Sequence, residues 1–233
     1  MAYTSDFPFV YLTADVAAFS IQDDALCVLA VKRRNPPHRG RWALPGGFVD
    51  DMEDVEKAAR RELREETGVD ARKLPLEQVG VYTAPRRDPR HRTISVAWLA
   101  VLPADIALEA GDDASDARWW PVDELLEPRR LAFDHATILG EAVEQLRGDF
   151  ERTGRATQFL PEEFTVADLR RVYEVVWDRP LDPGNFQRKV TGMPGLLEDT
   201  GYQTAGGRGR PATLYRAGAA DAIWPPLSRE RDR

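Results

Sequence analysis

The sequence predicts an α+β fold in two parts: a mixed sheet with helices packed on it up to about Gly154, then a small helix–turn–helix followed by a hairpin. Three observations carry this reading. Strand and helix signals alternate through the first two-thirds of the 233 residues, which is how helices layered on a sheet are written in sequence. The polar stretch 149–158 then breaks the pattern. Beyond it, two short helical patterns flank a proline turn and precede two strand-like segments joined by a glycine- and arginine-rich loop. The expected boundaries are 1–154 for the first domain, 155–219 for the second and 220–233 for a tail.

Each element has a local cause. Residues 10–21 are rich in β-branched and aromatic side chains, residues 26–31 form a short buried run, and Asp23 and Asp24 between them read as a tight turn. Asn35, Pro36, Pro37 and Gly40 mark a loop. Strand signals resume at 78–83 and 93–102, with a short candidate at 118–120. One helix runs from about Val55 to Thr67 and is stopped by Gly68. Another starts with Asp134 as its cap and carries Ile138, Leu139, Ala142, Val143 and Leu146 on one face. In the second part Thr165 caps a helix with apolar Val166, Leu169, Val172, Tyr173 and Val176, and a shorter helix spans about 185–190 after the turn at 179–183. Segments 202–204 and 213–215 are placed to pair across the loop 206–211. Helix, turn, helix and a hairpin with a basic tip is a winged-helix reading. The tail from Ala217 onward is expected to be frayed or loosely docked.

Composition narrows the function classes. Hydrophobic content of 42% and charged content of 30% are ordinary for a soluble globular chain. No apolar run approaches the ~18 residues that span a bilayer, so no membrane partner is expected, and the N-terminus lacks a secretory pattern. The only cysteine, Cys27, excludes an internal disulfide and fits a reducing cytoplasm. The net charge of −7 is uneven: residues 1–154 hold 20 Lys+Arg against 28 Asp+Glu, residues 155–233 hold 12 against 11. Within the latter, Arg188, Lys189, Arg208, Arg210 and Arg216 face only Glu198 and Asp199 over residues 188–216, a local charge able to steer a polyanion.

The chemistry concentrates between Gly47 and Val69, where Glu53, Glu56, Glu62, Glu65 and Glu66 lie beside Arg61 and behind a Gly46-Gly47 turn. Glu62 and Glu66 are spaced i,i+4 and share a helix face with Val55 and Ala59, so they point toward the packed side. Like charges at that spacing repel, and burial raises the cost. A bound Mg²⁺ or Mn²⁺ reverses the sign, since hard cations prefer carboxylate oxygens. Arg61 can hold a carboxylate in a bidentate pair, and the glycines let the backbone approach the same ion. A solvated acidic helix face is the alternative reading of the wheel alone.

The full spacing resembles the Nudix box, G-x5-E-x7-R-E-U-x-E-E-x-G-U, at Gly47, Glu53, Arg61, Glu62, Leu63, Glu65, Glu66, Gly68 and Val69, and the preceding Trp42 to Gly47 is typical of that superfamily. The resemblance implies a Nudix α/β/α sandwich that hydrolyses a nucleoside diphosphate linked to another group with divalent ions. It implies Gly47, Glu62, Glu65 and Glu66 at the metal, with Glu53 and Arg61 fixing the loop–helix geometry of the catalytic set. A further acid from outside the box is sought among Glu109, Asp112, Asp113 and Asp116. Pro85, sixteen positions past the box, resembles the pattern of ADP-ribose pyrophosphatases, which places Pro85, Arg86, Arg87 and Arg90 as candidate substrate contacts; a polar surface loop is the alternative for the arginines. His135 reads as a packing residue at a helix start with no partner visible, and Phe186 as a core anchor.

A hydrolase of this kind needs only the first part of the chain. The segments 169–176, 179–190 and 209–215 resemble the winged helix-turn-helix of Nudix-related transcriptional regulators of NAD metabolism, and Asn35 to Pro37, Asp88 to Arg90 and Phe133 to Ala136 also fit that family. Asn185, Gln187, Arg188 and Lys189 lie on the second helix, with the residue types that make bidentate base contacts. Arg208 and Arg210 sit on the hairpin tip, where they can reach phosphates or the minor groove. The resemblance implies a homodimer on a palindromic double-stranded operator, released when ADP-ribose or a related NAD metabolite fills the Nudix domain. Many such regulators have degraded boxes and this one is complete, which leaves open a metabolic pyrophosphatase whose winged helix serves dimerisation or a protein partner.

Overall fold

The computed structural model describes residues 6–72, 74–103, 108, 114–204, 211–220 and 222–229. The chain divides into two compact units, one of residues 1–20, 27–101 and 105–143, the other of residues 21–26, 102–104 and 144–233.

The first unit is a mixed sheet. Its strands are β1 (Tyr11–Gln22), β2 (Ala25–Arg33), β3 (Trp42–Ala43) and β4 (Gly46–Phe48); helix α1 (Val55–Thr67) follows, then β5 (Glu77–Tyr82), β6 (Thr93–Val101), β7 (Ala114–Pro121) and the short helix α2 (Val122–Leu125). The order is β3-β2-β1-β6-β5, with β4 added to β1 and β7 to β2. β1 and β6 run parallel, whereas β1–β4, β2–β3, β2–β7 and β5–β6 pair antiparallel. In β1 eight successive residues, Thr13 to Ser20, are buried, as expected of a strand covered on both faces. Asp23 and Asp24 both take left-handed φ in a two-residue turn, a conformation Asp tolerates better than most side chains.

Helix α1 obeys the local rules. The Asp54 carboxylate accepts from Glu56 N–H at its start, and Gly68 at φ 75° closes it by donating to the Arg64 carbonyl. Ala58, Ala59, Leu63 and Thr67 are buried on its inner face. Two expectations are corrected here. Gly46 and Gly47 form strand rather than turn: Gly46 pairs with Asp15 and Gly47 with Ala14 on β1. The last sheet strand is also longer than residues 118–120, because Ala114–Pro121 pairs along β2 and hydrogen bonding outweighs weak local propensity.

Helix α3 (His135–Arg152) runs four residues into the polar stretch 149–158 expected to break the pattern. A 3₁₀ turn, Arg155–Phe159, follows. In the second unit α4 (Val166–Trp177) starts with a capping box, in which Thr165 and Asp168 satisfy each other's backbone N–H groups. Helix α5 (Pro183–Thr191) is capped by Asp182 and begins with Pro183, whose fixed φ suits a first helical position, so it starts two residues earlier than the sequence reading. β8 (Leu197–Gln203) and β9 (Thr213–Ala217) pair antiparallel.

A chain of edge-to-face rings forms the core of the second unit: Phe150 meets Phe159 and Tyr173, and Tyr173 meets Trp177 and Phe186, at 4.8–5.9 Å between centroids. Tyr173 Oη donates to the Phe150 carbonyl at 3.0 Å, so its one polar atom is satisfied while the ring is buried. Of the two expectations for the tail, frayed or loosely docked, its described residues 222–229 follow the second. Ile223 and Leu227 are buried, their N–H groups donate to the Arg152 and Glu151 carbonyls at 2.7 and 2.9 Å, and Arg229 pairs with Glu144 at 2.9 Å. Two buried aliphatic side chains contribute roughly 1.5–3 kcal/mol each, enough to hold so short a segment.

Candidate functional site

The site grows from β4 and α1. A Cβ at Gly46 would overlap the Ala14 carbonyl and Asp15, and one at Gly47 would overlap the Glu62 carboxylate. Gly46 is therefore required by close backbone approach, whereas a Cβ at Gly47 would push the Glu62 carboxylate aside. The Gly46 N–H donates to Glu66 Oε2 at 2.9 Å. Burial nevertheless pushes the Glu66 carboxyl up to about 8, and burial also raises Glu62 despite its bond to Arg61.

Arg61 is the hub. Its Nε and one terminal nitrogen grip both oxygens of Glu53 at 2.9 and 2.8 Å, and the same side chain donates to the Phe48 carbonyl at 2.9 Å. Its other terminal nitrogen donates to Glu62 at 2.7 Å and Glu65 at 3.2 Å. The Arg61 hydrogen bonds hold Glu53 down at about 2, so this carboxylate stays ionised. Arg61 thus keeps three glutamates in register and locks the β4–α1 loop to the helix.

Gly46, Gly47, Glu62 and Glu66 line a cleft of about 320 Å³, with Arg61 behind them. Five acids (Asp15, Asp50, Glu62, Glu66, Asp88) and five bases (Lys32, Arg33, Arg34, Arg87, Arg90) line it. Such a surface suits a ligand that is itself anionic and brings a cation. The floor is a buried charge network. Asp15 accepts from Ser95 Oγ and lies 3.6 Å from Arg87. Arg87 also forks onto both oxygens of Asp134 at 2.9 and 2.7 Å. His135 Nδ1 accepts from the Leu44 N–H at 2.9 Å, which leaves the ring proton on Nε2, 3.7 Å from Asp15. Burial holds His135 below its ordinary pKa, so the ring is neutral.

Arg90 is held by Asp88 at 2.7 Å and lies over the Phe48 and Phe133 rings. Pro85 and Arg86 are exposed and do not line the cleft. Glu53 and Glu65 also stand outside it, on the Arg61 side. Asp116 is exposed on β7, while Glu109, Asp112 and Asp113 fall outside the described residues. Among the described residues no three His, Cys, Asp or Glu side chains converge into a ready-made ion cage, because Arg61 stands between Glu53, Glu62 and Glu65. The donor set still fits a hard divalent cation: clustered carboxylate oxygens, one of them buried, beside a strand position that any Cβ would fill.

On α5, Asn185, Gln187, Arg188 and Lys189 are all exposed, while Phe186 and Val190 between and after them anchor the helix in the core. Arg188 donates to Asn185 Oδ1 at 2.9 Å. Arg216, part of the expected basic patch, is taken up by Glu163 at 2.6 Å and Glu162 at 3.5 Å. Arg208 and Arg210 lie outside the described residues.

A model of the NUDIX domain matches residues 12–141, and a model of the NrtR DNA-binding winged helix domain matches residues 156–217. Over 93% of its length the chain is 32% identical to the ADPR responsive transcriptional repressor NtrR of Acinetobacter baylyi, covering 86% of that protein. The chain belongs to the NrtR family. NrtR of Shewanella oneidensis, solved in complex with a 27mer DNA, matches with a TM-score of 0.79 at 33% identity, over 93% of this chain and 99% of that one. The Nudix domain of the same protein, solved with ADP ribose, matches at 35% identity and a TM-score of 0.55, over 60% of this chain and 90% of that one. The ADP-ribose pyrophosphatase of Methanocaldococcus jannaschii is 40% identical over 60% of this chain and 79% of that enzyme.

The chain carries Glu62, Glu65 and Glu66 on α1, with Glu53 just before it, and Asn185, Gln187, Arg188 and Lys189 on α5. What sequence reasoning missed is the cleft floor. Asp15 was detectable as the one acid in an apolar strand, a buried charge that demands a partner. The pairing of Arg87 with Asp134 had no local signal, being 47 residues apart.

Proposed function

We propose that this chain is a DNA-binding transcriptional repressor of NAD-metabolism genes whose Nudix domain binds ADP-ribose, or a related NAD-derived diphosphate, and hydrolyses it with Mg²⁺ or Mn²⁺. One observation carries the reading: a single NrtR-type chain joins a cleft lined by acids and guanidiniums to a helix that exposes four polar and basic side chains within five residues. It acts as a homodimer on a palindromic operator in the cytoplasm, a compartment that suits its lone buried Cys27.

A divalent cation held by Glu62, Glu65, Glu66 and the Gly47 carbonyl would neutralise diphosphate charge and supply an activated water. The chain's own residues do the positioning. Arg61 fixes Glu62 and Glu65 against Glu53, and the Gly46 N–H orients Glu66. Arg90, stacked on Phe48 and Phe133, offers a guanidinium edge to the diphosphate. Arg87 holds the floor through Asp15 and Asp134, and Pro85 and Arg86 bound the neighbouring loop.

DNA recognition runs through Asn185, Gln187, Arg188 and Lys189, with Arg208 and Arg210 on the phosphates. Release requires that ADP-ribose bind the DNA-incompetent conformation more tightly than the competent one, because equal affinity shifts nothing.

A second reading, a metabolic pyrophosphatase whose winged helix serves dimerisation or a partner protein, is favoured by the complete box and by the likeness to an archaeal ADP-ribose pyrophosphatase. One experiment separates them: a gel-shift titration on promoter DNA of NAD-synthesis genes, with and without ADP-ribose and Mg²⁺, following nucleotide products in the same sample. The repressor reading expects salt-sensitive DNA binding that ADP-ribose reverses. Turnover without any DNA shift would replace it with the second reading.

A further inference from the structure

We infer that the loop between β2 and β3 forms a second anion subsite, contiguous with the cleft, that takes a phosphate monoester carried by the diphosphate ligand. The inference rests on the ligand class proposed above and narrows it to phosphorylated forms.

The loop carries Arg33, Arg34, His38, Arg39 and Arg41 within nine residues. It is ordered by its own backbone: Arg33 N–H donates to the Arg41 carbonyl, Gly40 N–H to the Arg33 carbonyl and Arg41 N–H to the His38 carbonyl, at 2.9–3.0 Å. Arg33 adds a side-chain bond to the Pro37 carbonyl at 3.0 Å and lies 4.7 Å above the Phe133 ring. The cationic groups are therefore presented on a preorganised frame, which lowers the ordering cost of binding.

A cavity of about 410 Å³ opens on this loop, lined by Arg33, Arg34, Asn35, Pro36, Arg39 and Gly40. Arg33, Arg34 and Asn35 also line the main cleft, so the two spaces adjoin. Their electrostatics differ. The main cleft balances acids against bases and suits a diphosphate with its cation. No acid lines the second cavity among the described residues, so an anion there needs no metal. Burial, and secondarily the neighbouring Arg90 charge, hold Arg33 below its ordinary pKa, and burial, then Arg41 and Arg33, do the same for His38. A dianionic phosphate monoester, with three oxygens to engage the forks of Arg34 and Arg39 and the Asn35 amide, matches that lining better than a ribose hydroxyl.

The test is calorimetry on the full chain, without and then with Mg²⁺, using ADP-ribose, ADP-ribose 2′-phosphate and ADP-ribose 1″-phosphate. The last two distinguish a phosphate on the nucleoside from one on the distal sugar. One of them should bind at least about tenfold more tightly than ADP-ribose, as expected for one added charge-assisted contact. That gain should be largely lost in the Arg39→Ala variant, whose side chain lines the second cavity but not the main cleft, while its ADP-ribose affinity stays within about twofold, a retained binding that also reports intact folding. Normal ADP-ribose heat with no gain from either monophosphate, or a gain that survives Arg39→Ala in full, would overturn the subsite alone. No heat from ADP-ribose under either condition would instead overturn the proposed ligand class.

Discussion

The cleft gathers its titratable groups from β1, the end of β2, α1, the loops at Asp50 and 87–90 and the start of α3, and keeps several of them from water, whereas α5 places Asn185, Gln187, Arg188 and Lys189 within five residues and exposes them all. In the cleft, recognition and folding share the same side chains: Arg87 is 5% exposed and pairs with two acids. On α5 the labour is divided, with Phe186 and Val190 holding the helix and the exposed residues left to recognition. Mutations should therefore couple stability to function in the first region and separate them in the second.

The largest expected effect is from Arg87→Ala. It leaves Asp15 and Asp134 without their shared guanidinium, and breaking a buried pair from one side costs about 3–5 kcal/mol. Urea unfolding followed by tryptophan fluorescence measures it; a loss below ~1 kcal/mol would show that the floor network does not support the fold.

Next comes Glu66, through pH. Its folded pKa of about 8 lies above the ordinary carboxylate value, so the folded chain binds the extra proton across the interval between them. Stability from this group is intact at low pH and is lost as pH rises toward and through 8. Glu66→Gln should match the parent near pH 5 in chelator and exceed it near pH 9, by up to about 4 kcal/mol. Parallel melting curves at the two pH values would refute the burial argument. The same ionisation makes cation binding strengthen over that pH range.

Gly47→Ala should lower cation-dependent ADP-ribose affinity by about 100-fold, since the added methyl displaces the Glu62 carboxylate, with a stability loss of about 1–3 kcal/mol from overpacking. Calorimetry with Mg²⁺ checks this, and parent-like binding would detach β4 from the metal site.

The mildest structural effect belongs to Arg188→Ala with Lys189→Ala. DNA affinity should fall about 10- to 100-fold with a shallower salt dependence, while melting temperature moves by less than about 2 °C and ADP-ribose binding is unchanged. Equal loss of all three would contradict the division of labour on α5.

The same contrast governs what could be read from the sequence. Helix α1 with its Gly68 stop, the Thr165 cap and the polar residues of α5 are set by neighbours a few residues away, and all were legible; the Asp54 cap and the Asp168 half of the capping box are equally local but went unread. The glycine pair was recognised as a close approach but misplaced as a turn, because only the pairing with Ala14 and Asp15 reveals it as strand. His135 looked partnerless since Leu44 and Asp15 lie 91 and 120 residues away in sequence. Long-range convergence leaves no periodic trace, so the floor of the cleft had to be seen.

One detail of α3 has a practical corollary. Its final carbonyls, at Glu151 and Arg152, are satisfied by backbone amides from the far end of the chain, Leu227 and Ile223. Cutting the protein after Ala220 would strand those acceptors and bare the apolar slots that Ile223 and Leu227 occupy. A shortened winged-helix fragment intended for DNA work should thus keep the chain through Arg229, with any affinity label appended beyond it.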